Sequence, residues 1–279
     1  MKSPEPRTAP SCAIRSRYAN MTPTLSLAPT ANPFRTASVS DRPARRIACL
    51  VLGVTLAFAA TAAPASVPTF DGETLRYSIN WPSGLSLGEA QIRATRVKPT
   101  PKSAERYDFE FSIDAAIPGF TVADRYHSEA SPDFCSINFD KLASHGKKKA
   151  DEKTNFDPQK LTATRETKDG GKSDVTTAQC AKDALAFLFY VRRELAQGRL
   201  VDRQPVYFGA AYEVRLDFAG TQTIRMGETS VEVDRLNGSL KGPSSELNFE
   251  AYFLKDAART LALVKVPLAV GTFSMELVK

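Results

Sequence analysis

Histidine, tryptophan and cysteine are scarce in this 279-residue chain, with two, one and four copies respectively. His127 and His145 belong to no His-Glu-x-x-His motif, and no Cys-x-x-Cys occurs, so a tetrahedral zinc set has no ligands to draw on. Phosphate-cradling loops are missing as well: there is no Gly-x-x-x-x-Gly-Lys, and no Gly-x-Gly-x-x-Gly opens a helical stretch. Gly84-Leu85-Ser86-Leu87-Gly88 has the letters of a nucleophile elbow, but a proline-containing turn precedes it and a strand pattern follows. The elbow needs the reverse, a strand before and a helix after. No metal or cofactor is therefore expected, and no catalytic residue is assigned.

Net charge is also lacking once its position is considered. The formal +6 comes from 37 basic and 31 acidic side chains. Residues 1–65 hold eight of the bases, including Arg42, Arg45 and Arg46, and two of the acids, Glu5 and Asp41, which leaves 29 of each. The rest of the chain is neutral. That balance excludes a surface built for polyanions, so nucleic acid is not an expected partner.

One long apolar run occurs, from Ile47 to Ala60, behind the three arginines and ahead of Thr61-Ala62-Ala63-Pro64-Ala65. A positive start, an apolar middle and a small-residue exit are the parts of a secretory signal, with cleavage after Ala62 or Ala65 delivering a periplasmic protein. Extended to Ala63, the run reaches about 17 residues, the lower edge of a bilayer span, which keeps a retained anchor as the alternative. Its alanine- and glycine-rich second half disfavours a permanent span. Residues 1–41, rich in Ser, Thr, Pro and Ala, show no period and suggest a start assigned too early, with Met21 or a later start in use. Residues 1–65 thus read as a disordered or removed extension and signal, and 66–279 as a single β-rich domain. Cys12 and Cys49 fall in the removed part. Cys135 and Cys180 remain as an even pair in an oxidising compartment, where a disulfide between them is expected and two free thiols are the alternative.

Past the leader, alternation dominates. Leu75, Tyr77, Ile79 and Trp81 take every second position, as do Ala90, Ile92 and Ala94, then Tyr107, Phe109, Phe111 and Ile113. Val214, Leu216 and Phe218 continue the pattern, followed by Leu247, Phe249, Ala251 and Phe253. Period two with one apolar face predicts antiparallel strands. Turn chemistry at Trp81-Pro82-Ser83-Gly84, Asp157-Pro158, Asp169-Gly170-Gly171, Ala219-Gly220 and Met226-Gly227 predicts short sequential connections. The expected fold is mainly β: a curved antiparallel sheet or open barrel of meander type, with one long amphipathic helix. That helix spans Asp183 to Gln197, with Ala184, Leu185, Leu188, Phe189, Val191 and Leu195 at three- and four-residue spacing and Gly198 as the stop. Covering one mouth or face of the sheet is its expected role. Residues 140–175 are highly charged and suggest a hairpin exposed on both faces, anchored by Phe156 and Leu161. Lys147–Lys149 reads as a solvated turn, or alternatively as a contact for an anionic glycan or lipid head group.

A bent sheet of this kind can enclose a cavity. Tyr77, Trp81, Phe109, Phe111, Phe218, Phe249 and Phe253 form its expected inward set and are the candidates for lining a pocket that takes an acyl chain or other apolar ligand. The plainer reading is that they fill a core.

Several pieces also resemble a known family when taken in order. Gly72-Glu73-Thr74-Leu75-Arg76-Tyr77-Ser78-Ile79 leads into Gly84-Leu85-Ser86-Leu87-Gly88-Glu89-Ala90. Asp124-Arg125-Tyr126, Ser144-His145-Gly146, Asp183-Ala184-Leu185-Ala186-Phe187-Leu188 and Gly271-Thr272-Phe273 follow. Over about residues 70–279 the chain resembles the bacterial Domain of Unknown Function 3108 family. The resemblance implies an exported, periplasmic, β-rich protein and transfers no catalytic residue. Together these readings point to a non-enzymatic cell-envelope protein that binds or carries an apolar or amphiphilic ligand such as a lipid or glycolipid. A structural or partner-binding envelope module and an envelope hydrolase are the alternatives.

Overall fold

The computed structural model describes residues 68–278 apart from 118, 244 and 270. The leader, both cleavage positions, Cys12 and Cys49 lie outside the described residues. Fifteen strands and one helix follow one another. The first eight strands are β1 (Glu73–Asn80), β2 (Ser86–Val97), β3 (Arg106–Ile117), β4 (Phe120–Ala130), β5 (Ser136–His145), β6 (Lys148–Asp157), β7 (Thr162–Thr167) and β8 (Lys172–Thr176). A two-residue strand β9 (Lys182–Asp183) then enters helix α1 (Ala184–Ala196). The chain closes with β10 (Gln204–Tyr207), β11 (Ala211–Met226), β12 (Thr229–Lys241), β13 (Glu246–Leu254), β14 (Leu261–Leu268) and β15 (Gly271–Leu277).

All fifteen strands form one open sheet in the order β8-β7-β6-β5-β4-β3-β2-β1-β15-β14-β13-β12-β11-β10-β9. Every pairing is antiparallel except that of β9 with β10. The meander is therefore circular in connectivity, because first and last strands pair, with Tyr77 opposite Leu277 and Asn80 opposite Ser274. It is open at one place, between β8 and β9, and the helix follows β9 directly in the chain. A barrel would close there if β8 and β9 paired.

Local chemistry accounts for the helix. Asp183 caps it, accepting from the amides of Leu185 and Ala186 at 2.8 and 3.1 Å. Gly198 follows the C-terminal cap at φ +72°, a backbone conformation that costs glycine little. The helix does more than cover a mouth. Leu185, Ala186 and Phe189 pack with Phe70, Phe109 and Phe134, rooted in the β1–β8 half. Phe187, Val191 and Leu195 pack with Val214, Leu216, Leu236 and Phe253 of the other half. A helix buried on two sides fills the space that an open barrel would enclose.

Two polar devices fix it. Arg192, with no exposed surface, forks onto Glu73 at 2.6 and 2.7 Å, and its Nε donates to the carbonyls of Ala258 and Arg259 at 3.1 Å. One side chain thus ties α1 to β1 and to the β13–β14 turn. At the helix start, Asp183 is fully buried and its Oδ2 accepts from the hydroxyls of Ser128 and Ser136. Burial raises this carboxyl above the ordinary aspartate range, and the four donors oppose that shift. Cys135 and Cys180 are joined, with Cα atoms 4.7 Å apart, and beside the bond the Ser136 amide donates to the Ala181 carbonyl. These contacts dock the entry of α1 onto the β4–β5 turn.

Three local expectations need correction. Ala219-Gly220 is a bulge inside the sixteen-residue β11, between Phe218 and Thr221, and not a turn. The charged middle segment is not solvated on both faces, since Glu152, Thr154, Phe156 and Ala163 are buried. Leu161 is no anchor either: it stands 42% exposed in the tight turn at φ +53°.

Candidate functional site

The seven aromatic candidates separate into four groups. Tyr77 and Phe109 are core residues at 1% and 0% exposure. The Phe109 ring stacks on Phe189 of α1 at 4.0 Å, and the Tyr77 hydroxyl donates to the Leu261 carbonyl. Phe111 stacks on Tyr126 at 5.4 Å in the same cluster. Here the plainer reading, a filled core, describes the structure. Phe218 departs from the expected inward set: it is 57% exposed. The cause is that β10 pairs β11 only over Ala211–Val214, so the strand beyond has no neighbour on that side among the described residues. Trp81 lies past the end of β1, edge-to-face on Phe273 at 4.9 Å, and lines a groove on the opposite side of the sheet from α1.

Phe249 and Phe253 do come together. They line a crevice of about 200 Å³ between α1 and the strands β10–β14. Every lining side chain is Ala, Val, Leu or Phe, with Phe187, Leu188 and Val191 on the helix side and Val214, Leu216 and Val264 among those on the sheet side. The floor is buried, whereas Leu188, Leu240, Phe249 and Val264 at the rim are half-buried, so the crevice is open to the surface. Phe249 owes its pose to Gly238, directly opposite in β12. A Cβ there would meet the ring at 2.1 Å, and only glycine lets the ring lie flat across the strand. The helical residues of this crevice escaped the aromatic inventory. Their three- and four-residue spacing marked an apolar face, but alternation in the strands carries no information on which strands that face meets.

The histidines occupy different places. His145 Nε2 lies 2.9 Å from Oδ1 of Asp124, a nearly buried carboxylate that also accepts from the Tyr126 hydroxyl at 2.5 Å. This is the base-and-orienter half of a hydrolytic constellation. The hydroxyl present is a phenol already committed to the same carboxylate, and burial together with that bond raises its pKa strongly. No serine, threonine or cysteine side chain bonds His145 among the described residues. Ser144 and Lys147 have Ser-x-x-Lys spacing, but the β5–β6 turn at Gly146 lies between them and no hydrogen bond joins them. His127 lines a charged groove over β2–β6 with Arg93, Glu110 and Asp140. Among the described residues no cluster of His, Cys, Asp or Glu is arranged to hold a metal ion, and no helix is long and apolar enough to cross a membrane.

A family model, protein of unknown function DUF3108, matches residues 76–278. The chain belongs to the DUF3108 family. The match covers nearly the whole span over which the ordered sequence pieces resemble that family. No curated protein matches the chain. Among solved structures, it is similar to a β-barrel-like protein of Domain of Unknown Function DUF1849 from Brucella abortus, at 8% identity and a TM-score of 0.52, over 74% of this chain and 95% of that one. That likeness bears on the fold alone and agrees with a barrel-like sheet left open at one seam. A candidate lipoprotein from Parabacteroides distasonis and a candidate exported protein with a YmcC-like fold from Bacteroides fragilis each match at 8% identity, over 75% of this chain and 95% of theirs. Their TM-scores of 0.29 are too low to carry an argument.

Proposed function

We propose that this DUF3108 protein is an exported cell-envelope protein that binds the apolar chain of a lipid or similar amphiphile, without catalysing a reaction, in the crevice between α1 and β10–β14. The crevice carries the reading: an all-apolar slot, open at a half-buried rim, between the helix and the sheet. A dry cavity of about 150 Å³ takes a benzene-sized group, so about 200 Å³ takes an acyl segment of roughly eight carbons. The leader pattern and the Cys135–Cys180 bond support the compartment, because disulfides persist where thiols are oxidised.

The test is organic extraction of protein purified from the envelope fraction, followed by mass spectrometry, with displacement of a fluorescent fatty acid as the binding assay. Wild type is expected to yield a co-purifying acyl species and to bind the probe. Ala251→Leu, which fills the slot, is expected to lose both while keeping its fold, at a cost of about 1–3 kcal/mol for overpacking. Extracts free of lipid, together with probe binding unchanged in Ala251→Leu, would remove the proposal. A partner-binding reading draws on a different observation, the edge of β11 on the β10 side, which beyond Val214 has no neighbouring strand among the described residues although its other edge pairs with β12. It predicts cross-linking of one envelope protein at that edge with no lipid present.

A further inference from the structure

The face of the sheet turned away from α1 carries a second concavity, of about 790 Å³, over β12, β13, β14, β15 and β1. Strand register builds its floor. Asn237 stands opposite Glu250, Glu250 opposite Lys265, Lys265 opposite Ser274, and Ser274 opposite Asn80. The row therefore presents an amide, a carboxylate, an ammonium, a hydroxyl and a second amide, one from each of five adjacent strands. Their sequence neighbours Leu236, Ala251, Met275 and Ile79 point the other way, into the clusters around α1.

Two parts of this groove are rigid. Both oxygens of Glu250 are engaged, one by Arg235 and the other by the Tyr252 hydroxyl. At the other end, the β1–β2 turn is closed by backbone bonds between Trp81 and Leu85 and between Gly84 and Trp81. Pro82 of that turn packs where a Cβ on Gly271 would sit, 2.5 Å away, so glycine at 271 lets the turn approach the sheet. Phe273 supports the Trp81 ring edge-to-face. Between these ends, and among the described residues, several polar groups make no side-chain hydrogen bond or ion pair: the side-chain amides of Asn237 and Asn248, the ammonium of Lys265, which lies 5.4 Å from the centre of the Tyr252 ring, and the indole N–H of Trp81. Nε of Arg235 is shielded from solvent and also lacks an acceptor, a state that buried donors seldom occupy.

We infer that this groove binds a neutral oligosaccharide. Charge argues against a polyanion, since Arg235 and Lys265 are matched by Glu250 and Glu276 within the same lining. A row that mixes donors and acceptors suits hydroxyl groups, each of which is both. An indole at one end offers a flat apolar surface of the kind on which one face of a sugar ring can rest. The volume falls in the range of about 300–1,000 Å³ typical of small-molecule sites, larger than one hexose needs. This site lies on the other face of the sheet from the crevice, with Phe249 bordering both, and the inference does not rest on the crevice reading.

Trp81 is the only tryptophan in the chain, so emission under tryptophan-selective excitation, which leaves the eight tyrosines silent, reports on this groove. The experiment is to screen the full exported chain against an array of neutral glycans, then to titrate cellotetraose, maltotetraose, chitotetraose and any array binder while following Trp81 emission. Heparin, inorganic phosphate and decanoate serve as contrasts. The expected result is a saturable emission change with at least one neutral oligosaccharide and none with phosphate or decanoate. Asn237→Ala and Lys265→Ala, both at solvent-accessible positions, are each expected to weaken that binding by up to about tenfold. Asn248→Ala provides a third variant if either of those fails to fold. Ala251→Leu is expected to leave saccharide binding unchanged, so failure of the crevice reading and failure of this one are distinguishable. The inference is overturned by silence of the whole array, by binding of heparin alone, or by affinity that is unchanged when Asn237 and Lys265 are replaced together.

Discussion

Replacing Arg192 with alanine removes the fork on Glu73, two bonds to the carbonyls of Ala258 and Arg259, and a guanidinium lying 4.6 Å from the Phe70 ring. The Glu73 side chain is 17% exposed, so the stranded carboxylate cannot be fully hydrated where it is. Stripping one partner from a buried ion pair costs about 3–5 kcal/mol. Each orphaned carbonyl adds up to about 1–3 kcal/mol, offset where water enters the vacated space. A net loss of about 4 kcal/mol follows, and at about 2–4 °C per kcal/mol for a domain of this size, Tm should fall by roughly 8–16 °C. The assay is reversible urea unfolding of the oxidised protein by far-UV circular dichroism. Arg192→Lys should lie between wild type and alanine, because a lysine restores charge but not the planar fork. The double variant Arg192→Met with Glu73→Leu should recover much of the loss, because an apolar pair in place of a buried ion pair is often neutral. A loss under about 1 kcal/mol for Arg192→Ala, or a double variant no better than the single one, would refute the reasoning.

Other perturbations test other parts of the fold. Cys135→Ser with Cys180→Ser should destabilise by about 4 kcal/mol on the chain-entropy argument for two residues 45 apart in sequence, read from urea midpoints. The hydrogen bond from Arg165 holds the Glu152 carboxyl below its ordinary value of 4.5, against the opposing effect of burial, and Lys141 helps. A depressed folded-state pKa means that its stabilisation is complete above about pH 4.5 and is lost as pH falls through the folded value, so Glu152→Gln should flatten the acid limb of a stability–pH curve. Gly88→Ala should cost about 3 kcal/mol or more by thermal melting, because its Cβ would meet the Asp114 carbonyl oxygen at 2.0 Å, and a paired backbone cannot rotate aside.

Much of the architecture was legible from local pattern, and the exceptions have identifiable causes. The helix bounds were readable because capping is local: an aspartate at 183 and a glycine at 198 satisfy or relax the terminal backbone by themselves. Strand faces were mostly readable where a strand has both neighbours and no bulge interrupts it; Ile137, in phase with the buried Phe139 but exposed, lies opposite the register shift between Glu129 and Ala130. Phe218 misled because its alternation is correct but its neighbouring strand stops short. Ala219-Gly220 misled because glycine serves a bulge as readily as a turn, and composition does not separate them. The charged segment around Glu152 misled because a buried carboxylate with Arg165 and Lys141 beside it looks, in sequence, like any solvated run.

By itself the sequence determined the alternation of the strands, the extent of α1 and the neutrality of residues 66–279, and it made a Cys135–Cys180 bond the expectation that the structure then shows. Each of these depends on spacing along the chain or on a count. Only the tertiary structure decided that the meander closes through β1 and β15 and opens beside β9, that α1 fills the interior, and that Asn237, Glu250, Lys265, Ser274 and Asn80 form one row. Alternation fixes which way a side chain points, but its position relative to a distant strand is set by long-range register, and that register is chosen by packing of the whole sheet around the helix.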